Sequence, residues 1–179
     1  MRFAINGFGR VGRTLLRVYA SREDARAKLT LAAINEIADA DTVVHLARYD
    51  SNYGRYPGAI ARAASSLVID QRSVPLSHVA EVARLPWQQH QIDLVLECTG
   101  AFTDRITAEQ HLHAGASRVL FSQPAESDVD ETIVYGVNSD ALSADMTVVS
   151  AASCTTNAVV PVLATLNRAV GIEAATITT

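Results

Sequence analysis

The sequence predicts an α/β fold built on a doubly wound parallel sheet. Short apolar runs alternate with stretches in which apolar residues recur at helical spacing, and this alternation is typical of parallel strands joined by crossover helices. A glycine-rich turn lies between the first apolar run and the first helical stretch. Hydrophobic residues make up 49% of the chain and charged residues 19%, which is sufficient for a buried core.

Two periodicities predict the individual elements. Helices are expected where apolar residues recur every three to four positions, as Val11, Leu15 and Val18 do. Pro75 places its strand at an edge of the sheet, because proline has no amide hydrogen to donate to a neighbouring strand. The predicted helices cover residues 11–19, 39–47, 107–114 and 153–169. The predicted strands cover residues 3–5, 29–34, 67–69, 73–76, 92–97, 119–121, 132–135, 147–149 and 174–179.

Size and composition exclude several classes of protein. A chain of 179 residues corresponds to one domain and a little more. Its 15 basic and 19 acidic residues give a net charge of -4, whereas a nucleic-acid surface needs a basic excess. It has no apolar run long enough for a membrane span, and its two cysteines do not form a disulfide framework. We therefore expect a cytoplasmic protein with no nucleic-acid or membrane partner.

The turn Gly7-Phe8-Gly9-Arg10-Val11-Gly12 has the G-x-G-x-x-G pattern of Rossmann-type dinucleotide-binding folds. Such glycines permit a tight turn, a close approach of the backbone to a pyrophosphate and close packing of the helix on the sheet. The N-terminus of the following helix offers free amides to the phosphates. A glycine turn without a ligand is the alternative, and the position between a strand and a helix argues against it.

Asn35 and Glu36 lie at the end of the second strand, and Glu36 comes 24 residues after Gly12. A carboxylate at this position accepts hydrogen bonds from the ribose hydroxyls of NAD and repels the 2′-phosphate of NADP. Taken alone, Glu36 reads as a solvated loop acid, but its pairing with the glycine turn favours a cofactor contact. We predict NAD as the cofactor, bound by the six residues of the turn together with Asn35 and Glu36.

Thr99 and Gly100 follow the strand predicted at residues 92–97 and are also predicted to contact the cofactor. They lie at the carboxyl edge of the sheet, where open α/β folds bind nucleotides. Cys98, beside them, is interpreted as a packing residue. The five histidines lack the spacing of metal ligands, so no metal site is predicted.

Cys154 is the candidate nucleophile, because the segment Ser153-Cys154-Thr155-Thr156-Asn157 begins a predicted helix. A helix N-terminus stabilises a thiolate through its dipole and its free amides. A buried structural thiol is the alternative. The flanking hydroxyls suit either helix capping or binding of a substrate phosphate. No histidine lies near Cys154 in the sequence to act as its base.

Together, the stretch from Ile5 to Arg13 and the segment SCTTN resemble the glyceraldehyde-3-phosphate dehydrogenase family. The resemblance covers the whole chain, and several further segments are closer to the erythrose-4-phosphate dehydrogenase branch of that family. These segments are Ile34-Asn35-Glu36, Leu85-Pro86-Trp87, Phe121-Ser122-Gln123-Pro124, Val134-Tyr135-Gly136-Val137-Asn138 and Gly171-Ile172-Glu173.

The resemblance implies an NAD-binding Rossmann domain at residues 1–152 and the beginning of a catalytic α+β domain at residues 153–179. It implies that Cys154 attacks an aldehyde to form a thiohemiacetal, that a hydride passes to the nicotinamide, and that the resulting thioester is released by water or phosphate. Ser153 and Thr155 would contact the substrate or the acyl-acceptor anion. The branch favours water and erythrose 4-phosphate, which gives 4-phosphoerythronate on the route to pyridoxal phosphate.

The chain departs from the family pattern at Ala151, where relatives carry asparagine, and at Ala80, where the branch carries an arginine near the adenine. The family's catalytic histidine is expected two residues past Thr179, so this chain alone is expected to bind NAD with little turnover. Full-length relatives form homotetramers. Glyceraldehyde 3-phosphate with phosphate as acceptor is the alternative reaction, and a non-catalytic dinucleotide-binding or redox-sensing module is an alternative of another class.

Overall fold

The computed structural model describes residues 1–178 and contains an α/β fold with one large sheet. The described α-helices are α1 (Arg10–Ser21), α2 (Glu23–Lys28), α3 (Ala40–Arg48), α4 (Arg105–His113) and α5 (Cys154–Val170). The described strands are β1 (Arg2–Asn6), β2 (Thr30–Asn35), β3 (Tyr49–Asp50), β4 (Gly54–Arg55), β5 (Ile60–Ala63), β6 (Ser66–Ile69), β7 (Arg72–Ser77), β8 (Leu94–Glu97), β9 (Arg118–Phe121), β10 (Glu131–Thr132) and β11 (Val148–Ser150).

The large sheet has the strand order β10-β11-β9-β8-β1-β2-β7-β6-β5. Strand β1 lies between β2 and β8 and runs parallel to both. The pairings of β2 with β7, of β8 with β9, of β9 with β11 and of β11 with β10 are also parallel, whereas β5, β6 and β7 pair antiparallel. The prediction of a doubly wound, mostly parallel α/β sheet is therefore confirmed.

The pairing register brings three polar residues together at the carboxyl ends of the central strands. Asn6 of β1 pairs with Asn35 of β2 on one side and with Glu97 of β8 on the other. All three residues are buried. The candidate site begins at this edge of the sheet, because the loops that follow these strands all leave the sheet here.

The core occupies both faces of the sheet because successive side chains of β1 point in opposite directions. Phe3 and Ile5 pack into a cluster that includes Leu16 of α1. Ala4 joins a second cluster on the other face, around the fully buried side chain of Trp87. A separate small cluster holds α4 against β9 and β11.

The prediction that Pro75 makes its strand an edge is wrong. Strand β7 lies between β2 and β6, and β5 is the edge strand. Pro75 is tolerated because the parallel pairing with β2 involves only Leu76 and Ser77. On the other side, the amide of Leu76 donates to the carbonyl of Ser65 (3.0 Å), so the ladder does not require an amide hydrogen on Pro75.

Four other segments differ from the sequence-based expectation. Residues 174–178 form no strand, because no strand of the described chain runs beside them to complete a hydrogen-bond ladder; Thr179 lies outside the described residues. The polar stretch at residues 49–58 contains the short hairpin β3–β4. Helix α2 and strand β5 were not predicted, since both are short and lack a clear apolar period.

Helix α5 follows the last strand of the sheet and has no buried residues. Its exposed large apolar side chains include Val162, Leu166 and Val170. No helix within residues 1–178 is both long and apolar enough to cross a membrane.

Asp130 connects the segment before β10 to β11 and to α4 through its side chain. Because these contacts lower the pKa of its carboxyl, we expect the stability of the protein to depend on pH. Its carboxylate accepts hydrogen bonds from the amides of Thr147 (2.7 Å) and Val148 (2.9 Å) and pairs with Arg105 (2.8 Å). Partial burial raises the pKa of Asp130, but these hydrogen bonds and the charge of Arg105 outweigh burial and lower it to about 2.

We expect Asp130→Asn to lower the free energy of unfolding at pH 7 by about 1–2 kcal/mol. The carboxylate contributes stability that is present above its unfolded-state pKa of about 4 and is lost as the pH falls through the folded value of about 2. The unmodified protein should therefore lose more stability between pH 4 and 2 than the variant does. Urea unfolding at several pH values measures this difference, and parallel curves would contradict the prediction.

Candidate functional site

The glycine turn connects β1 to α1 and packs directly against the loop after β8. Gly7 has φ +86°, a conformation that side chains disfavour. A Cβ on Gly7 would lie 2.5 Å from the amide nitrogen of Thr99, and a Cβ on Gly12 would lie 2.4 Å from the carbonyl oxygen of Gly7. The two glycines are therefore required by close contacts within the protein.

Gly9 has a different role, because a Cβ there would meet no atom within 4 Å. Its φ of -70° lies outside the left-handed region that favours glycine. Gly9 precedes α1 without a side-chain cap, so the first amides of the helix have no partner from a capping side chain. A glycine that the fold itself does not need, at an uncapped helix N-terminus, fits the close approach of a phosphate group.

Glu36 reaches from the end of β2 to the glycine turn. One carboxylate oxygen accepts a hydrogen bond from the amide of Phe8 (2.7 Å), and the other accepts from the amide of Ala38 (3.1 Å). A carboxylate has about four lone-pair positions, so each oxygen keeps acceptor capacity for a ligand hydroxyl. The side chain thus fixes the turn and still presents a negative acceptor beside it.

Asn35 uses its side chain within the protein. Its amide nitrogen donates to Oδ1 of Asn6 (2.8 Å) and to the carbonyl of Val79 (2.9 Å). Its Oδ1 accepts from the hydroxyl of Ser77 (2.8 Å) and from the amide of Val79 (2.9 Å). Asn35 therefore ties β1, β2 and the end of β7 together, and each of its side-chain polar atoms already has two hydrogen-bond partners within the protein.

A cavity of about 270 Å³ opens beside these strand ends. Gly7 and Gly9 form one side, Asn35 and Glu36 another, and Thr99 a third. Gly100 lies between two residues of the lining and has φ +73°. The remaining lining residues, most of them apolar, are Asn6, Ile37, Val79, Ala80, Val82, Leu85, Cys98, Ala101 and Phe102.

The residues that line this cavity suit the adenosine half of NAD. Apolar walls accept a flat base, and Glu36 at the margin accepts hydrogen bonds from hydroxyls. The glycine turn at the other margin offers backbone amides to phosphates. Ala80 is part of the lining, at the position where the family resemblance implies an arginine.

Cys154 is the first residue of α5 and is exposed. Ser153 caps this helix, because its Oγ accepts a hydrogen bond from the amide of Thr156 (2.9 Å) and lies 2.7 Å from the hydroxyl of Thr156. The sequence left two functions open for this hydroxyl, helix capping and binding of a substrate phosphate. In the structure it caps the helix. Thr155 follows Cys154 in the first turn of α5 and is half-buried.

The backbone before Cys154 is held in an unusual conformation. Ala152 is buried and has φ +61°. Its amide donates to Oγ of Ser150 (3.0 Å). The side-chain amide of Asn157 donates to the carbonyls of Ala151 (2.7 Å) and Ser153 (2.9 Å). Asn157 thus supports the loop before α5 from its C-terminal side. The family resemblance implies an asparagine in this loop at the position of Ala151, which has no side-chain amide to support it.

A second cavity, of about 280 Å³, joins Cys154 to the glycine-turn helix. Its walls include Val11 and Leu15 of α1, Leu96 of β8 and Asn157 of α5. Within residues 1–178 no histidine lines it. An exposed thiol and the first turn of α1 thus border the same apolar space, while Arg10 of that turn is exposed to solvent.

Cys98 is buried, as the sequence predicts. Burial raises the pKa of its thiol to about 12, so it is almost entirely protonated at neutral pH. In the described part of the chain, no group of three or more His, Cys, Asp or Glu side chains is arranged to hold a metal ion. The sequence did not identify Asn6, Val79 or Asn157 as site residues, because their contacts depend on strand register and loop packing.

Comparison with known families adds an independent finding. A family model described as "Glyceraldehyde 3-phosphate dehydrogenase, NAD binding domain" matches residues 1–105. The matched segment contains the glycine turn, Asn35, Glu36, Thr99 and Gly100, whereas Cys154 lies beyond it. The match confirms the Rossmann-type fold and NAD as the cofactor.

The different roles of two glycines predict different effects of the same substitution. Gly7→Ala should lower the free energy of unfolding by about 2–4 kcal/mol, because it adds backbone strain and a clash with the Thr99 backbone. Gly9→Ala should cost only about 1 kcal/mol or less, because alanine is a poorer N-cap than glycine, but it should weaken NAD binding. Chemical denaturation and calorimetric NAD titration measure both quantities, and equal loss of stability in the two variants would contradict this assignment.

The two cysteines should differ in reactivity. At pH 7.5 we expect iodoacetamide to alkylate exposed Cys154 at least about a hundredfold faster than buried Cys98, whose raised pKa leaves little thiolate. Peptide mass mapping over time measures the two rates. The Cys154→Ser variant should remain unlabelled over the same period, and rapid labelling of Cys98 in either protein would contradict the prediction.

Proposed function

Because the chain belongs to the glyceraldehyde 3-phosphate dehydrogenase family, we propose that it carries the NAD site and the cysteine nucleophile for oxidation of a phosphorylated aldehyde, erythrose 4-phosphate, to 4-phosphoerythronate. The observation that carries this proposal is the cavity shared by Cys154 and the first turn of α1. A thiol there adjoins the helix whose N-terminus receives the cofactor phosphates. The four-carbon substrate is supported by the branch-like sequence segments.

In the proposed reaction the Cys154 sulfur attacks the aldehyde carbon and forms a thiohemiacetal. NAD, when bound, accepts the hydride that leaves this carbon. The thiohemiacetal thereby becomes a thioester, and water attacks the thioester to release the acid and regenerate the thiol. We assign the proton acceptor for these steps to the catalytic histidine that the family resemblance implies.

The N-terminus of α5 supports binding of an anion next to the nucleophile. Its dipole and first amides favour negative charge, and Cys154 is the first residue of this helix. We assign contacts with the substrate or acyl-acceptor anion to the Thr155 hydroxyl. The Ser153 hydroxyl already caps the helix, so we assign it chiefly to orienting the helix start.

We also propose that the protein acts in the cytoplasm and assembles as a homotetramer. Two free cysteines are compatible with a reducing compartment. The exposed apolar side chains of α5, among them Val162, Leu166 and Val170, offer surface for association.

NAD specificity provides a direct test of Glu36. We expect Glu36→Ser to weaken NAD binding by about tenfold or more, because it removes a charged acceptor for the ribose hydroxyls. The same change should narrow the preference for NAD over NADP. Calorimetric titration with each dinucleotide measures the effect, and unchanged NAD affinity would argue against Glu36 as a cofactor contact.

Steady-state rates on the two aldehydes test the proposed reaction. The protein that contains this chain should oxidise erythrose 4-phosphate faster than glyceraldehyde 3-phosphate and without added phosphate. Cys154→Ala should reduce the rate by at least about a thousandfold while NAD binding persists. A preference for glyceraldehyde 3-phosphate with phosphate would overturn the substrate. NAD binding without turnover or a thioester on Cys154 would instead indicate a non-catalytic dinucleotide-binding or redox-sensing module.

A further inference from the structure

We propose that Glu97, which is fully buried and cannot touch the cofactor, is a positioning residue for the NAD site. It holds the Thr99–Gly100 loop against the glycine turn. Glu97 also accepts a hydrogen bond from Asn6, and Asn6 in turn accepts one from Asn35. These hydrogen bonds connect Glu97 to the wall of the cavity that Asn35 and Glu36 form. This inference rests on NAD binding by the family domain and is independent of which aldehyde is oxidised.

Four hydrogen-bond donors surround the Glu97 carboxylate. One oxygen accepts from the side-chain amide of Asn6 (2.6 Å) and from Nε2 of His111 (3.0 Å). The other accepts from the backbone amide of Thr99 (2.8 Å) and from the hydroxyl of the same residue. The donors belong to β1, to α4 and to the loop at the cavity, so one side chain joins three separate segments.

The hydrogen-bond directions define the charge states. The indole nitrogen of Trp87 only donates, and it donates to Nδ1 of His111 (2.9 Å). Nδ1 therefore carries no proton, Nε2 carries one, and the ring is neutral. Glu97 receives four hydrogen bonds and donates none, as an ionised carboxylate does. Burial raises the pKa of Glu97, but the hydrogen bonds from His111, Thr99 and Asn6 outweigh burial and lower it.

Burying a carboxylate without a cationic partner lowers the stability of a protein. The position of Glu97 shows which part of the site its hydrogen bonds hold in place. Glu97 accepts a hydrogen bond from the backbone nitrogen of Thr99. A Cβ on Gly7 would lie only 2.5 Å from this nitrogen. The loop and the glycine turn are thus in direct contact, and a shift of Thr99 displaces the turn that receives the phosphates. Thr99 itself lines the cavity.

A glutamine cannot replace Glu97 in this setting. Its amide group would direct hydrogens either at Thr99, whose backbone amide cannot reverse, or at Asn6 and His111. His111 cannot become an acceptor at Nε2 without disrupting its bond with Trp87. In either orientation the glutamine NH2 group would face another hydrogen-bond donor. The hydrogen bonds to Thr99, or those to Asn6 and His111, would then be lost.

The test compares Glu97→Gln with His111→Ala. The histidine variant removes a buried ring and one donor but leaves both Thr99 hydrogen bonds, so it serves as a control for lost stability. Calorimetric NAD titration is carried out at a temperature where circular dichroism finds every protein folded. We expect Glu97→Gln to weaken NAD binding at least about tenfold, and His111→Ala to weaken it less than about threefold despite a comparable fall in Tm.

Affinity within about threefold in Glu97→Gln, or loss of affinity in proportion to Tm in both variants, would overturn the inference. If Glu97→Gln does not fold, Glu97→Asp keeps the charge but withdraws the carboxylate from Thr99. It should then weaken NAD binding, and unchanged affinity would likewise overturn the inference. Failure of the unmodified protein to bind NAD would instead refute the cofactor assignment, which the first titration establishes separately.

Discussion

The parallel pairing of β1 with β2 and β8 is the constraint on which the rest of the structure depends. It brings Asn6, Asn35 and Glu97 side by side at the carboxyl ends of three strands. None of these polar groups would be tolerated in the core singly, but each satisfies the next. The loops that leave these strand ends are therefore fixed relative to one another, and those loops form the cofactor cavity.

The chemistry of the site follows from two helix N-termini at this edge of the sheet. Helix α1 begins at an uncapped glycine and so keeps its amides available for phosphates. Helix α5 begins at Cys154 and is capped by Ser153. Both helix N-termini present the positive end of the helix dipole, which favours negatively charged groups. An apolar cavity between the helices connects the two positions.

The elements that the sequence predicted correctly are those with local signals. The glycine turn between β1 and α1 and the helix start at Cys154 each carry a short pattern with a physical reason, and the central strands are long apolar runs. Strand order is not local, which is why Pro75 was misassigned to an edge. The strand expected at residues 174–179 had the right residue types, but residues 174–178 have no neighbouring strand in the described chain.

The polar network beneath the cavity could not be read from the sequence. Asn6 and Glu97 are separated by 91 positions, and their contact depends on a register that no short pattern defines. Asn157 is similar, since its support of the carbonyl of Ala151 requires the loop geometry before α5. A polar residue at the end of a buried apolar strand was the available signal, and it occurs at Asn6, Asn35 and Glu97 alike.

A crystal structure of the protein with NAD bound tests most directly whether one continuous site runs from Glu36 to Cys154. We expect the adenosine ribose to lie within hydrogen-bond distance of Glu36. We also expect the pyrophosphate to lie at the first amides of α1 and the nicotinamide to occupy the cavity beside Cys154. A dinucleotide bound elsewhere, or a nicotinamide directed away from Cys154, would contradict this expectation.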